Sequence, residues 1–173
     1  LIKYWDISCR NSINIHQHKL RDYLRPNKRF VVTAEKIIDE LRSRYECVIG
    51  VHARRGDYST YLDGIHYHSW ESYLHWANQT KQILENSGKK NVGICICSDD
   101  NPPSLVSNNK GVYFSSSNDF MVDIHLLSKC DYNLGPPSSF GTWISWFGKV
   151  PRLVVCNNTE LTSLEQFEVC TTC

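Results

Sequence analysis

The sequence predicts an α/β fold, a mostly parallel sheet flanked by helices. Three observations lead there. Short β-branched runs alternate with amphipathic stretches, the pattern of strands joined by helical crossovers. The run Val-Gly-Ile-Cys-Ile-Cys within 91–98 is apolar on both faces, as a central parallel strand must be. Charged and hydroxyl side chains gather where strands end and helices begin, which is the ligand end of such a sheet.

Taken in order, residues 1–32 show helical spacing only in places, at Tyr4, Trp5, Ile13, Ile15, Leu20, Tyr23 and Leu24, before Pro26 interrupts it. Thr33 reads as the N-cap of a helix over 34–45, with Ile37, Ile38, Leu41 and Tyr45 on one face. A strand over 47–52 follows and closes in the turn Arg54-Arg55-Gly56-Asp57-Tyr58. A polar, aromatic loop runs on through His68. Ser69 caps the next helix, on which Trp70, Tyr73, Leu74, Ala77 and Leu84 share a face and which Gly88 stops. The strand 91–98 ends in Ser98-Asp99-Asp100, then Asn101-Pro102-Pro103. A short strand spans 111–115. Ser117 or Asn118 caps a helix to about residue 129, with Phe120, Ile124 and Leu127 facing inward. Residues 131–135 form a strand or turn stopped by Pro136-Pro137. Ser138 or Ser139 caps a helix with Phe140, Trp143, Ile144 and Phe147 at helical spacing and Gly148 as its stop. The last strand covers 152–156. This divides the chain into an N-terminal helical segment, 1–46, and a sheet domain, 47–173. No repeat, low-complexity segment or linker is visible.

A chain of 173 residues buries roughly 70% of its unfolded surface and can build a full core. Its net charge of +1 provides no global field toward nucleic acid or membrane. Of the eight cysteines, Cys47, Cys95, Cys97 and Cys156 sit in apolar runs and read as buried thiols. Cys9, Cys130, Cys170 and Cys173 are the disulfide candidates. Neither Cys95-x-Cys97 nor Cys170-x-x-Cys173 has a nearby histidine, and His66, His68 and His75 lack ligand spacing, so no metal is expected. The sequons Asn78-Gln79-Thr80 and Asn157-Asn158-Thr159, taken with the cysteines, favour a secretory-pathway lumen. No run in the chain is long and apolar enough to span a membrane, so an anchor is expected only upstream of Leu1.

Three groups carry chemistry. The first is His52, Arg54, Arg55 and Asp57. Planar guanidinium forks match carboxylate or phosphate oxygens, so these arginines either grip a phosphate-bearing ligand or pair with Asp57 and other local carboxylates. The second is Asp99 and Asp100, helix caps or ligand acceptors. The third joins Asp123 to Ser138 and Ser139. Asp123 borders an apolar stripe and needs a donor, either a guanine base or a neighbouring side chain. Ser138 and Ser139 stand at a helix N-terminus, where free amides favour an anion. Together the groups would hold a nucleoside diphosphate without a glycine-rich loop, since neither GxGxxG nor GxxxxGK[ST] occurs.

His52-Ala53-Arg54-Arg55-Gly56-Asp57-Tyr58 resembles the HxRRGDY motif of the α-1,2-fucosyltransferases, glycosyltransferase family 11. Cys97-Ser98-Asp99-Asp100 is similar to the family's second motif. Asp123 to Ser128, Cys130-Asp131-Tyr132-Asn133 and Ser138-Ser139-Phe140-Gly141-Thr142-Trp143 resemble its third. The resemblance implies a Rossmann-like domain, the donor-binding half of a GT-B glycosyltransferase. It implies L-fucose transfer from GDP-fucose to a galactoside hydroxyl, inverting, α-1,2-linked, with no metal cofactor, in the Golgi lumen. By position, Arg54 would meet the β-phosphate with Arg55 in support, His52 and Asp123 the guanine, and Asp99 or Asp100 the base or ribose. Ser138, Ser139 and the adjoining Phe140 would meet the pyrophosphate side, and Asp57 is the candidate base. Two non-enzymatic readings compete: a module that binds donor or glycan without turnover, and an adhesion ligand presenting Arg55-Gly56-Asp57.

Overall fold

The computed structural model describes residues 10–107, 109–115, 117 and 119–171. Five strands, β1 (Cys47–Ala53), β2 (Val92–Ser98), β3 (Val112–Phe114), β4 (Tyr132–Gly135) and β5 (Arg152–Val154), form one sheet in the order β3-β2-β1-β4-β5. Every neighbouring pair is parallel. The chain runs outward from β1 to one edge and then to the other, so the order reverses at β1, between β2 and β4. In open parallel sheets a ligand crevice opens outside the carboxyl ends of the strands at such a reversal.

All seven residues of β1 are buried, which explains its apolar, β-branched composition. Alternate side chains feed two cores. Ile49, Val51, Ile94 and Ile96 pack against helix α3 (Trp70–Asn86), through Trp70, Tyr73, Trp76, Ala77 and Leu84. Val48, Cys95 and Cys97 pack on the opposite face against α2 (Lys28–Arg42), α5 (Phe120–Leu127) and Ile144 of α6 (Ser139–Gly148). The result is three layers, helix on sheet on helix. Helix α2, which falls in the N-terminal segment by sequence, is thus part of the sheet's cover. Helix α1 (Arg10–Tyr23) is tied on by Arg21, whose guanidinium lies over Trp146 and donates to its carbonyl. A four-residue helix, α4 (Ser104–Ser107), follows the two prolines.

Several boundaries differ from the sequence reading. Asn27, not Thr33, caps α2, accepting from the Arg29 amide; Thr33 lies inside the helix and donates its hydroxyl back to the Arg29 carbonyl. Asp119 caps α5, rather than Ser117, and Asn118 lies outside the described residues. Phe120, expected inward, is 69% exposed because it opens the helix at the rim of a cleft. On α6 the fully buried side chains are Ile144, Ser145 and Trp146, a stripe rotated from the expected one; Phe140, Trp143 and Phe147 are half-buried. Gly88 does end α3, in left-handed backbone at φ +98. Gly148 ends α6 for another reason. The left-handed cap is Lys149, and a side chain at Gly148 would strike the backbone carbonyl of Ser128.

The cysteines also sort differently. Cys47, Cys95 and Cys97 are buried thiols as expected, but Cys156 is exposed. Cys130 and Cys170, read as disulfide candidates, are free, and Cys130 is packed in the core beside the thiol of Cys95. Cys9 and Cys173 lie outside the described residues.

The close approach at Gly148 fixes how α6 meets the end of α5. Replacing Gly148 with Ala forces the two apart and is expected to cost about 1–3 kcal/mol, read as a lower midpoint at unchanged slope in urea unfolding.

Candidate functional site

The carboxyl ends of β1, β2 and β3 open on a cleft of about 600 Å³, lined by His52, Arg54, Asp57, Asp99, Asp100, Asp119, Asp123 and the rings of Phe114, Phe120 and Phe140, among others. A second cleft of about 560 Å³ adjoins it, between Tyr58, Tyr61, Leu62 and His66 on one side and Ser138, Ser139, Thr142 and Arg152 on the other. Arg54 and Asp57 belong to both. The two clefts are compartments of one groove with that pair as the divider.

His52 is the last inward side chain of β1 on the α6 face. Its ring stacks on Phe140, centroids 4.5 Å apart, and its Nδ1 lies 3.5 Å from the Ser138 hydroxyl. Burial holds it far below the ordinary imidazole range, at about 3, helped by the charges of Arg152 and Arg54. The ring is therefore neutral and able to offer or accept one hydrogen bond in the cleft.

Arg54 forks onto Asp57, Nε to Oδ1 at 2.9 Å and Nη2 to Oδ2 at 2.6 Å, with its guanidinium over the Tyr58 ring. Its Nη1 has no acceptor among the described residues. Asp57 pays for this contact in basicity: the Arg54 hydrogen bond holds its carboxyl below the usual range, which makes it a poor proton acceptor. The geometry gives Asp57 the task of aiming Arg54.

Arg55 points elsewhere and lines neither cleft. Its side chain, 12% exposed, donates to Asp100, the Tyr67 hydroxyl and the His68 carbonyl, between the rings of Tyr67 and Trp70. Its own amide is held by Asp99 at 2.8 Å. Asp99 and Asp100 therefore brace the turn after β1 while still facing the first cleft. Of the tripeptide Arg55-Gly56-Asp57, the arginine side chain is enclosed in this way, while Gly56 and Asp57 are exposed.

Asp123 projects from the first turn of α5 and is 9% exposed. Hydroxyls of Ser115 and Ser117 donate to its Oδ1 at 2.8 and 2.7 Å. Burial raises its pKa above the carboxylate norm, and the two serines only partly offset that. So the neighbouring-side-chain reading of Asp123 is realised, and the residue still lines the cleft. Ser138 is the N-cap of α6, accepting from the Gly141 amide at 3.0 Å, and Ser139, the first helical residue, is exposed in the second cleft.

Sequence reasoning missed Arg152. It begins β5, is 5% exposed, and reaches under the first turn of α6 to donate to the Pro136 carbonyl at 2.6 Å and to Thr142 at 3.4 Å. A lone arginine opening an apolar run looked like a strand edge; only the proximity of Thr142 and the double proline could have signalled it. The two sequon asparagines, Asn78 and Asn157, are exposed, although Thr80 of the first sequon is fully buried.

An open parallel sheet in this order, flanked by helices on both faces, defines a Rossmann-like α/β domain. The particular family follows from the sequence: the chain belongs to glycosyl transferase family 11, whose model matches residues 3–166. It is similar to an α-1,2-colitosyltransferase of Escherichia coli, 26% identical over 137 residues, 76% of this chain and 46% of that protein. The chain thus spans about half the length of the curated relative it matches. Among solved structures it is similar to POFUT1 in complex with GDP, with a TM-score of 0.52, 14% identity, and coverage of 82% of this chain and 49% of that one. It is also similar to the fucosyltransferase NodZ from Bradyrhizobium, with a TM-score of 0.50, 17% identity, and coverage of 79% and 47%. At these identities the likeness concerns the fold.

His52 sets a pH dependence. Its folded value of about 3 lies below the ordinary 6.5. Between the two the unfolded chain binds a proton that the folded chain refuses, so stability is full above pH 6.5 and falls as the pH drops toward 3. Thermal melts from pH 7 to pH 4 should show a shallower loss for His52→Gln than for the wild type. Some slope should remain, because His68 and His125 are shifted the same way.

Proposed function

We propose that this chain is the donor-binding half of a glycosyltransferase that moves L-fucose from GDP-fucose to a galactoside hydroxyl, α-1,2-linked and with inversion. One observation carries the reading: the groove is divided electrostatically. Asp99, Asp100, Asp119 and Asp123 make the first compartment hostile to phosphate and receptive to a flat group rich in N–H and O–H donors, with Phe120 and Phe114 as apolar walls. Guanosine has that character. The second compartment, where Arg54, Arg152 and the N-terminus of α6 converge, suits the diphosphate and its sugar. Family membership, the colitosyltransferase activity named for the Escherichia coli relative and the GDP bound to POFUT1 support the same donor class.

In that pose the bond from the sugar's anomeric carbon to the diphosphate oxygen breaks, and negative charge builds on GDP. Nη1 of Arg54, held in place by Asp57, and the first amides of α6 are preorganised to take up that charge. Neutral His52 and the carboxylate of Asp123 orient the base. Arg55 holds the turn that carries Arg54. The acceptor oxygen forms its bond to the anomeric carbon from the opposite face and releases its proton to water, since Asp57, already engaged by Arg54, is a poor receiver for it. The exposure of Asn78 and Asn157 supports a lumenal setting, the Golgi for a transferase of this kind.

Titration calorimetry with GDP, guanosine and UDP tests the donor assignment. GDP should bind and UDP should not, and Arg54→Ala should weaken GDP by about tenfold to a hundredfold, the loss of a charge-assisted contact. Selective UDP binding, or GDP binding unchanged in Arg54→Ala, would overturn it. Turnover is read separately, by hydrolysis of GDP-fucose with this chain and with a chain extended at its N-terminus.

A further inference from the structure

Arg152 is a buried cation with no carboxylate to balance it among the described residues. The groups that bear on it are the Tyr58 hydroxyl and the Cys170 side chain. Its Nη2 and Nη1 go to a backbone carbonyl and a threonine hydroxyl, and its Nε has no acceptor among the described residues. Guanidinium groups stay charged in proteins, and burying one unpaired costs several kcal/mol. The cost is incurred at one place, against the first turn of α6. There Gly141 lacks the side chain that would collide with the guanidinium, so the helix is shaped to receive it. The same turn presents Ser138 and Ser139 to the second cleft, which Arg152 also lines. A helix N-terminus and an unpaired buried arginine thus meet on one wall, while across the divider the four aspartates have the opposite sign.

We propose that Arg152 supplies the buried positive charge of a phosphate-class anion site at the N-terminus of α6, acting from behind Ser138, Ser139 and Thr142. Resting on the donor reading above, this makes Arg152 a positioning residue for the diphosphate, additional to Arg54. The anion supplies the charge balance that the described residues lack, so Arg152 favours the diphosphate in this compartment over the acidic one.

The test uses the full chain, with inorganic pyrophosphate, GDP and guanosine as probes. Arg152→Met should weaken pyrophosphate and GDP alike by about tenfold or more and leave guanosine binding, read by saturation-transfer NMR, unchanged. Arg152→Lys, which keeps the charge, should recover part of the loss. Gly141→Ala is the second variant: alanine favours the helix, yet its methyl displaces the guanidinium, so pyrophosphate affinity should fall while circular dichroism stays that of the wild type. Unchanged pyrophosphate affinity in a folded Arg152→Met, or in Gly141→Ala should Arg152→Met not fold, overturns the proposal. So does an equal loss of guanosine binding, which would mark a general packing defect. Failure of the donor reading looks different: the wild type then binds pyrophosphate but not GDP.

Discussion

A guanidinium taken out of water must be answered by acceptors, and the carboxyl end of this sheet is organised around three that are answered differently. Arg54 is forked by a carboxylate at its own turn. Arg55 is enclosed by a carboxylate, a carbonyl, a hydroxyl and two rings. Among the described residues Arg152 has neutral acceptors alone and one unfilled donor. This gradient from full to partial satisfaction runs from the scaffold into the groove. The adjacent arginines after β1 look equivalent in sequence, yet one builds the loop and the other faces the ligand space.

The acidic side of the groove obeys the complementary rule. Asp99 and Asp100 spend part of their accepting capacity on Arg55, and Asp123 spends part on two serines. These bonds fix the carboxylates without removing them from the cleft. Charge is thus sorted by sign across a single divider, built from a short loop and two helix starts without a glycine-rich turn.

Much of this was legible in the sequence. Strand order could not be read, but strand existence could, because parallel strands buried on both faces are written as unbroken apolar runs. The residues converging on the groove were named by type and by position after a strand. What failed has local causes. Thr33 has a capping side chain but uses it for back-bonding, and Asn27, just after Pro26, caps instead. Periodicity placed the α6 stripe one step off because the buried face contains Gly141, Ser145 and Gly148, small residues that an apolar count passes over. Cys130 lies near a chain turn and looked available for pairing, whereas it is core. Arg152 escaped because its partner elements, Pro136, Thr142 and the α6 turn, are brought to it only by the parallel pairing of β4 with β5.

The divider has one more consequence. Because the Arg54–Asp57 fork walls both compartments, a ligand in either one would border a side chain that also walls the other. Linkage is reciprocal, so whatever a purine does to the grip on an anion, the anion does in equal measure to the grip on a purine. Under the donor reading proposed above, two half-ligands added together would report this as non-additive affinity, and the covalent tether between them in an intact nucleotide would turn that cross-talk into selectivity.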